Sequence, residues 1–235
     1  MTSRILKIAM AVLAVFVGLY PFTYYFVGRK FGLLQSKSAE VLTNGLWNSG
    51  FYIHITLGGI ALLTGWIQFN KRIRTTKLKW HRTVGKIYVF SALVSSAAAI
   101  YIAIYATGGI IASLGFMFLG LIWFYSTFKA YTAIRNRNIL THQEMMIYSY
   151  AACLAAVTLR IYLPLLIIAF HDFIKAYLVV AWLCWIPNIL IAFLLARKLK
   201  TESSLTIHTL PEHSTSGQQN ILLPGKPLPG ASADS

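Results

Sequence analysis

The stretch GFYIHITLGGIALLTGWIQF, residues 50–69, holds twenty residues with one histidine, His54, and no Asp, Glu, Lys or Arg. It is followed at once by NKRIRTTKLKWHR, residues 70–82, with six bases and no acid. A helix needs about 20 mostly apolar residues to cross a hydrocarbon core of ~30 Å. Bases collect at the cytoplasmic end of such a helix. This one junction therefore reads as a membrane-spanning helix that ends in a basic connection.

Working outward, the same texture repeats. Apolar runs at about 5–27, 83–106, 109–133, 143–170 and 174–196 join the one at 50–69 to make six spans. Unbroken runs of this length favour helices over a barrel, whose strands alternate over about ten residues. The expected fold is all-α, a polytopic membrane bundle of six transmembrane helices. Pro21, Pro164 and the pair Pro187-Asn188 should bend the first, fifth and sixth spans.

Composition agrees. Of 235 residues, 57% are hydrophobic and 11% charged, against about a quarter charged in a soluble domain; the mean hydropathy is +0.64. Six acids against 21 bases exclude a carboxylate-rich catalytic centre. The net charge of +15 lies mainly in the second–third connection, at Arg135 and Arg137, and at Arg197, Lys198 and Lys200. With six spans these fall on one side, which predicts a bacterial cytoplasmic (inner) membrane protein with both termini in the cytoplasm. Bases lying against a bilayer with no soluble reading domain point to membrane lipids as partners and away from nucleic acid. The first apolar run is long and lacks a small-residue cleavage site, so it reads as a retained span.

Three regions follow: residues 1–49 with the first helix and an outer loop, 50–196 with five further helices, and 197–235 as a cytoplasmic tail. The tail beyond residue 200 is rich in Ser, Pro, Gly and Thr and predicts disorder. Within the outer loop, Ala39, Val41, Leu42, Leu46 and Trp47 predict a short interfacial helix ending near Asn44-Gly45. The two cysteines, Cys153 and Cys184, sit mid-span as small packing residues.

Chemistry rests on few side chains. His81 and His142 open the third and fifth spans on the cytoplasmic side, at matched depth. Two imidazoles so placed can hold a b-type haem axially, with Arg82, Lys86 and Arg135 near its propionates. The local sequence Thr141-His142-Gln143-Glu144 also has the form of a capping box. His54 lies about a turn inside the outer end of its span, and His171 follows the fifth. Arg160 lies roughly 25 Å along the fifth span at ~1.5 Å per residue. Ionisable groups within spans usually face the bundle interior or a wet cavity, so His54 and Arg160 are expected to share an outer-half cavity. No acid stands at that depth. The counter-charge of Arg160 would be a headgroup, a carbonyl, Asp172 or a bound anion.

His54, Gly58-Gly59, Gln68-Phe69, His81-Arg82, Gly85-Lys86-Ile87-Tyr88, His142, Met146 and Thr158-Leu159-Arg160 together resemble the bacterial membrane-protein family known as domain of unknown function 2306, over residues 50–195. The resemblance implies a multi-spanning membrane protein and assigns no activity. A more distant similarity, in helix order alone, is to ascorbate-reducible transmembrane cytochromes b and ferric-reductase-like bundles. It implies haem ligands on paired helices, matched here by His81 and His142 and by His54, but the fourth span has no histidine.

Three functions are thus expected. The first is electron transfer through haem b on His81 and His142, with His54 and Arg160 lining a site for a quinone or other redox partner. The second is non-redox binding or transport of an anionic or lipid-like ligand on His54 and Arg160. The third is a structural or assembly role.

Overall fold

In the computed structural model, which describes residues 2–26 and 32–208, every regular element among those residues is helical. The principal helices are α1 (Thr2–Leu19), α2 (Thr23–Phe26), α3 (Ala39–Thr43), α4 (Gly45–Gln68), α5 (Lys71–Thr76), α6 (Leu78–Ala103), α7 (Ile110–Arg135), α8 (Ile139–Cys153), α9 (Ala155–Phe170), α10 (Phe173–Leu183) and α11 (Ile186–His208). Five rods are long and apolar enough to cross a membrane: α4, α6, α7, the pair α8–α9 and the pair α10–α11. The apolar run Ala11–Phe26 is shorter. The chain is a membrane-embedded helical bundle.

Neighbours in sequence pack as neighbours in space. Helix α4 lies on α6, α6 on α7 and α7 on α8; α9 and α10 form a hairpin, α11 returns beside α8, and α1 lies against α4. Small residues permit the close approach. A methyl at Gly59 would stand 2.6 Å from the Gly18 carbonyl oxygen, so α1 and α4 touch backbone to backbone. Where the helices meet, Ala61, Ala92, Ala112, Ala130, Ala176 and Ala181 are buried without remainder.

The breaks in the rods differ from those the prolines predict. Pro21 does sit in a one-turn 3-10 segment, Tyr20–Phe22, between α1 and α2. Pro187 falls in the first turn of α11, just after the α10–α11 break; it lacks an amide hydrogen and clashes with the carbonyl four residues earlier, Leu183. Pro164, in contrast, lies inside α9, and the fifth rod breaks ten residues earlier, at Leu154. The cause is hydrogen bonding. The Thr158 hydroxyl has one hydrogen to share among the carbonyls within its reach, Leu154 (3.2 Å), Ala155 (3.2 Å) and, across to the next rod, Cys184, and such back-bonding bends helices. Asn188 joins the same knot, its amide nitrogen donating to Ala151 O (3.3 Å), Thr158 Oγ1 (3.3 Å) and Cys184 O (3.2 Å). The two broken rods are therefore stitched together at their breaks.

Three boundary expectations need correction. Helix α4 begins at Gly45, ahead of the expected start at residue 50, because Asn44 caps it by accepting from Trp47 N at 3.0 Å. Thr141 and Glu144 do not form a capping box. Asn138 caps α8 by accepting from Thr141 N at 3.0 Å, one turn earlier, and Glu144 instead pairs with Lys200 at 2.8 Å. Finally, α11 runs on to His208, so residues 197–208 are helical, where a disordered tail was expected. Their i,i+4 pair Lys198–Glu202 (3.9 Å) and the Lys200–Glu144 contact carry the helix past the apolar span. Residues 209–235 lie outside the described residues. The short helix expected in the outer loop is present as α3, capped by Ser38 and ended by Asn44.

Candidate functional site

A cavity of about 220 Å³ opens inside the bundle, in the half away from the basic connections. Five rods and the N-terminal segment surround it. Val17, Pro21 and Tyr24 come from the first rod, and Leu33, Leu34 and Lys37 from the connection before α3. Trp47, Phe51 and His54 face it from α4, and Arg160 from α9. The wall is aromatic on one side, where Trp47 stacks on Phe51 at 5.3 Å and Tyr24 meets Phe51 edge-on at 5.5 Å. It carries three basic residues, Lys37, His54 and Arg160, and no acid.

His54 is fixed by Ser95. The Ser95 hydroxyl donates to the His54 carbonyl (2.9 Å), so its oxygen faces the ring as an acceptor. Nδ1 lies 3.1 Å from that oxygen and 3.1 Å from the Ser95 carbonyl. Two acceptors put the proton on Nδ1 and leave Nε2 as the uncommitted ring nitrogen. Arg160 is half-buried. Its Nη1 donates to the Ala156 carbonyl at 2.8 Å, and its guanidinium lies over the Tyr20 ring at 4.6 Å. Its Nε is buried without an acceptor. So is the indole nitrogen of Trp47, a residue 1% exposed. Asp172 is engaged elsewhere: its carboxylate accepts from Ile174 N (2.8 Å) and Lys175 N (3.1 Å) to cap α10, and these bonds hold its carboxyl below the usual range. Lys37 donates from Nζ to the Tyr105 carbonyl, and burial pushes its pKa down to about 8. Charge at Arg160 is felt at His54. The two expected partners thus line one chamber. His171 does not join them; it is exposed and closes α9 in a left-handed conformation, φ 51°.

Below the cavity is a polar cluster whose hydroxyls are all paired. The Tyr88 hydroxyl meets Ser149 Oγ at 2.7 Å, Ser149 Oγ meets Thr127 Oγ1 at 2.6 Å, and Thr127 Oγ1 donates to the Trp123 carbonyl at 2.7 Å. The Trp123 indole nitrogen turns toward Tyr88 but lies outside ordinary hydrogen-bond geometry. This clasp ties α6, α7 and α8 together.

At the basic end, His81 and His142 are near enough for charge on one to be felt by the other. His142 Nδ1 donates to the Ala130 carbonyl at 2.9 Å, the bond that orients an imidazole for ligation through Nε2. His81 differs. The Gln68 amide lies between His81 and Gly85; with its nitrogen turned toward His81 it donates to Nδ1 at 2.8 Å, and its oxygen accepts from Gly85 N at 3.2 Å. In that orientation the His81 proton sits on Nε2, and iron ligation there requires the Gln68 amide to turn over so that its oxygen accepts from Nδ1. Arg82 and Lys86 are exposed, and Arg135 reaches Tyr131 Oη at 3.4 Å. No group of three or more His, Cys, Asp or Glu side chains gathers among the described residues. Cys153 and Cys184 are buried thiols.

Sequence reasoning missed Trp47, Lys37 and Ser95. Trp47 had the signature of an interfacial indole, and Lys37 that of a loop charge. Only the fold brings Trp47 and Lys37 to the same chamber as Arg160 and sets Ser95 against His54.

Residues 51–196 match the family described as predicted membrane protein, domain of unknown function 2306, and the chain belongs to that family. No curated protein and no solved structure gives a match.

Proposed function

We propose that this member of the domain of unknown function 2306 family is a non-redox binding protein. Its buried cavity takes a small anion with an apolar body, of the kind an aryl or alicyclic carboxylate presents. The supporting observation is the pair of orphaned donors, Arg160 Nε and Trp47 Nε1, in a chamber with three bases and no acid. A buried donor without an acceptor costs about 1–3 kcal/mol, and a buried charge without a counter-charge costs more. A bound oxyanion supplies both. The volume of about 220 Å³ is below the ~300–1,000 Å³ of drug-sized sites, so the ligand is small, and the aromatic wall suits its apolar part.

The test is thermal unfolding of the full-length protein in detergent with benzoate, cyclohexanecarboxylate and phenyl phosphate, each against a neutral isostere such as benzamide. Saturable stabilisation by an anion is expected, about 2.7 kcal/mol at a hundred times Kd. It should be absent with the isostere and absent in Arg160→Gln. Equal stabilisation in wild type and Arg160→Gln, or none by any anion, overturns the reading.

A second reading, haem-dependent electron transfer with His81 and His142 as axial ligands and a quinone or other redox partner in the cavity, has the proximity of the two imidazoles in its favour. The Gln68 bond to His81 stands against it. A Soret band in protein from haem-replete membranes, lost in His81→Ala and in His142→Ala, would support this reading, and absence of the band removes it.

A further inference from the structure

A second site lies at the other end of the molecule and does not depend on the cavity. The ends of α4 and α6 and the short α5 between them enclose an open cleft of about 510 Å³. Two indoles line it, Trp66 and Trp80, which are 38% and 66% exposed. Ile67 and Ile73 line it as well, and Arg72 and Lys77 complete it.

Two bases at the same end have acids beside them. Lys200 pairs with Glu144 and Lys198 with Glu202. Residues 70–82 hold six bases and no acid. Among the described residues no acid pairs with Arg72 or Lys77. The apolar half of the cleft decides what kind of anion suits them. Indoles at the edge of a long apolar helix sit at headgroup level, and isoleucines beside them offer a surface to hydrocarbon. A free inorganic anion would use the bases alone, whereas an amphiphile uses both halves. We infer that this cleft is a binding site for one anionic phospholipid of the surrounding bilayer. Its phosphate lies on Arg72 and Lys77, and its acyl chains lie along Trp66, Trp80 and the isoleucines.

The experiment is native mass spectrometry of the full-length protein in detergent, titrated with phosphatidylglycerol and, separately, phosphatidylcholine. One tightly retained phosphatidylglycerol is expected, preferred roughly thirtyfold over phosphatidylcholine for two bases near the surface. Arg72→Gln/Lys77→Gln should lose that preference. Arg197→Gln/Lys198→Gln removes the same charge from the same end of the molecule and should keep it. Quenching of tryptophan fluorescence by phosphatidylglycerol with brominated acyl chains gives a reading on wild type alone, expected to drop in Trp80→Phe. Equal retention in wild type and the first double variant overturns the inference. So does an equal loss in the second, which would reduce the site to diffuse attraction.

Discussion

The clasp and the cavity are neighbouring polar regions in one apolar bundle, and they treat their donors in opposite ways. In the clasp, Tyr88, Ser149 and Thr127 pass hydrogen bonds from one to the next and end on a carbonyl. The demand for partners is met inside the chain. In the cavity, Arg160 Nε and Trp47 Nε1 meet nothing, and the bases have no acid. Burial is common to both regions. Satisfaction separates them: the hydroxyls of the first fasten helices together, while two donors beside the second have no acceptor within the chain.

Several substitutions break or sharpen that contrast. The largest effect is expected from Gly59→Ala. Its methyl would press on the Gly18 carbonyl oxygen at 2.6 Å, and backbone cannot swing aside, so α1 must retreat and carry Val17, Pro21 and Tyr24 away from the cavity. Anion-dependent stabilisation should vanish, with a loss of about 1–3 kcal/mol in the ligand-free protein, both read from thermal unfolding. Gly45→Ala, whose methyl would meet nothing within 4 Å, is the matched control.

Next comes a pair of single-donor removals with opposite signatures. Trp47→Phe should weaken anion binding roughly tenfold, the contribution of one hydrogen bond to a charged group, as measured by titration. Tyr88→Phe should leave that affinity unchanged and lower stability by about 1 kcal/mol, since hydrogen bonds between membrane helices contribute modestly. If Tyr88→Phe alters affinity as strongly as Trp47→Phe does, the two regions are one site and the contrast fails.

The smallest effect concerns pH. Burial lowers Lys37 to about 8 from an ordinary 10.5. The unfolded chain keeps that proton up to about 10.5, so between the two values the unfolded state binds more protons and ligand-free stability rises with pH. Over the same interval the chamber loses a cation, and anion affinity should fall a few-fold. The two trends run in opposite directions, and both should disappear in Lys37→Met when thermal shifts are compared across pH 7 to 10.

Much of this was legible in the residues. The apolar runs gave the rods within a few residues, and the depth of His54 and Arg160 brought them to a common chamber. Their order along the chain did not reveal which helix faces touch, so the clasp, whose three hydroxyls come from α6, α7 and α8, was invisible. The fifth rod teaches a similar lesson. Pro164 is the conspicuous feature, yet the break falls at Leu154, because Thr158 finds acceptors on its own helix and on the Cys184 carbonyl of the next. The Glu144 contact with Lys200 was hidden for the same reason, as it joins residues 56 positions apart. Local patterns report local bonds, and these three were settled by which rods lie side by side.

The Gly18–Gly59 contact has a consequence for kinship. Arg160, His54 and Trp123 fall within the shared family core of residues 51–196, while Val17, Pro21, Tyr24, Lys37 and Trp47 precede it. The chamber is a composite: His54 and Arg160 lie within the matched core, while Lys37 and part of the wall come from the segment ahead of it. Relatives that keep the core but differ upstream would share an appetite for anions and diverge in which ones they admit. Grafting residues 1–49 from such a relative is then a direct way to exchange selectivity without touching the guanidinium or the imidazole.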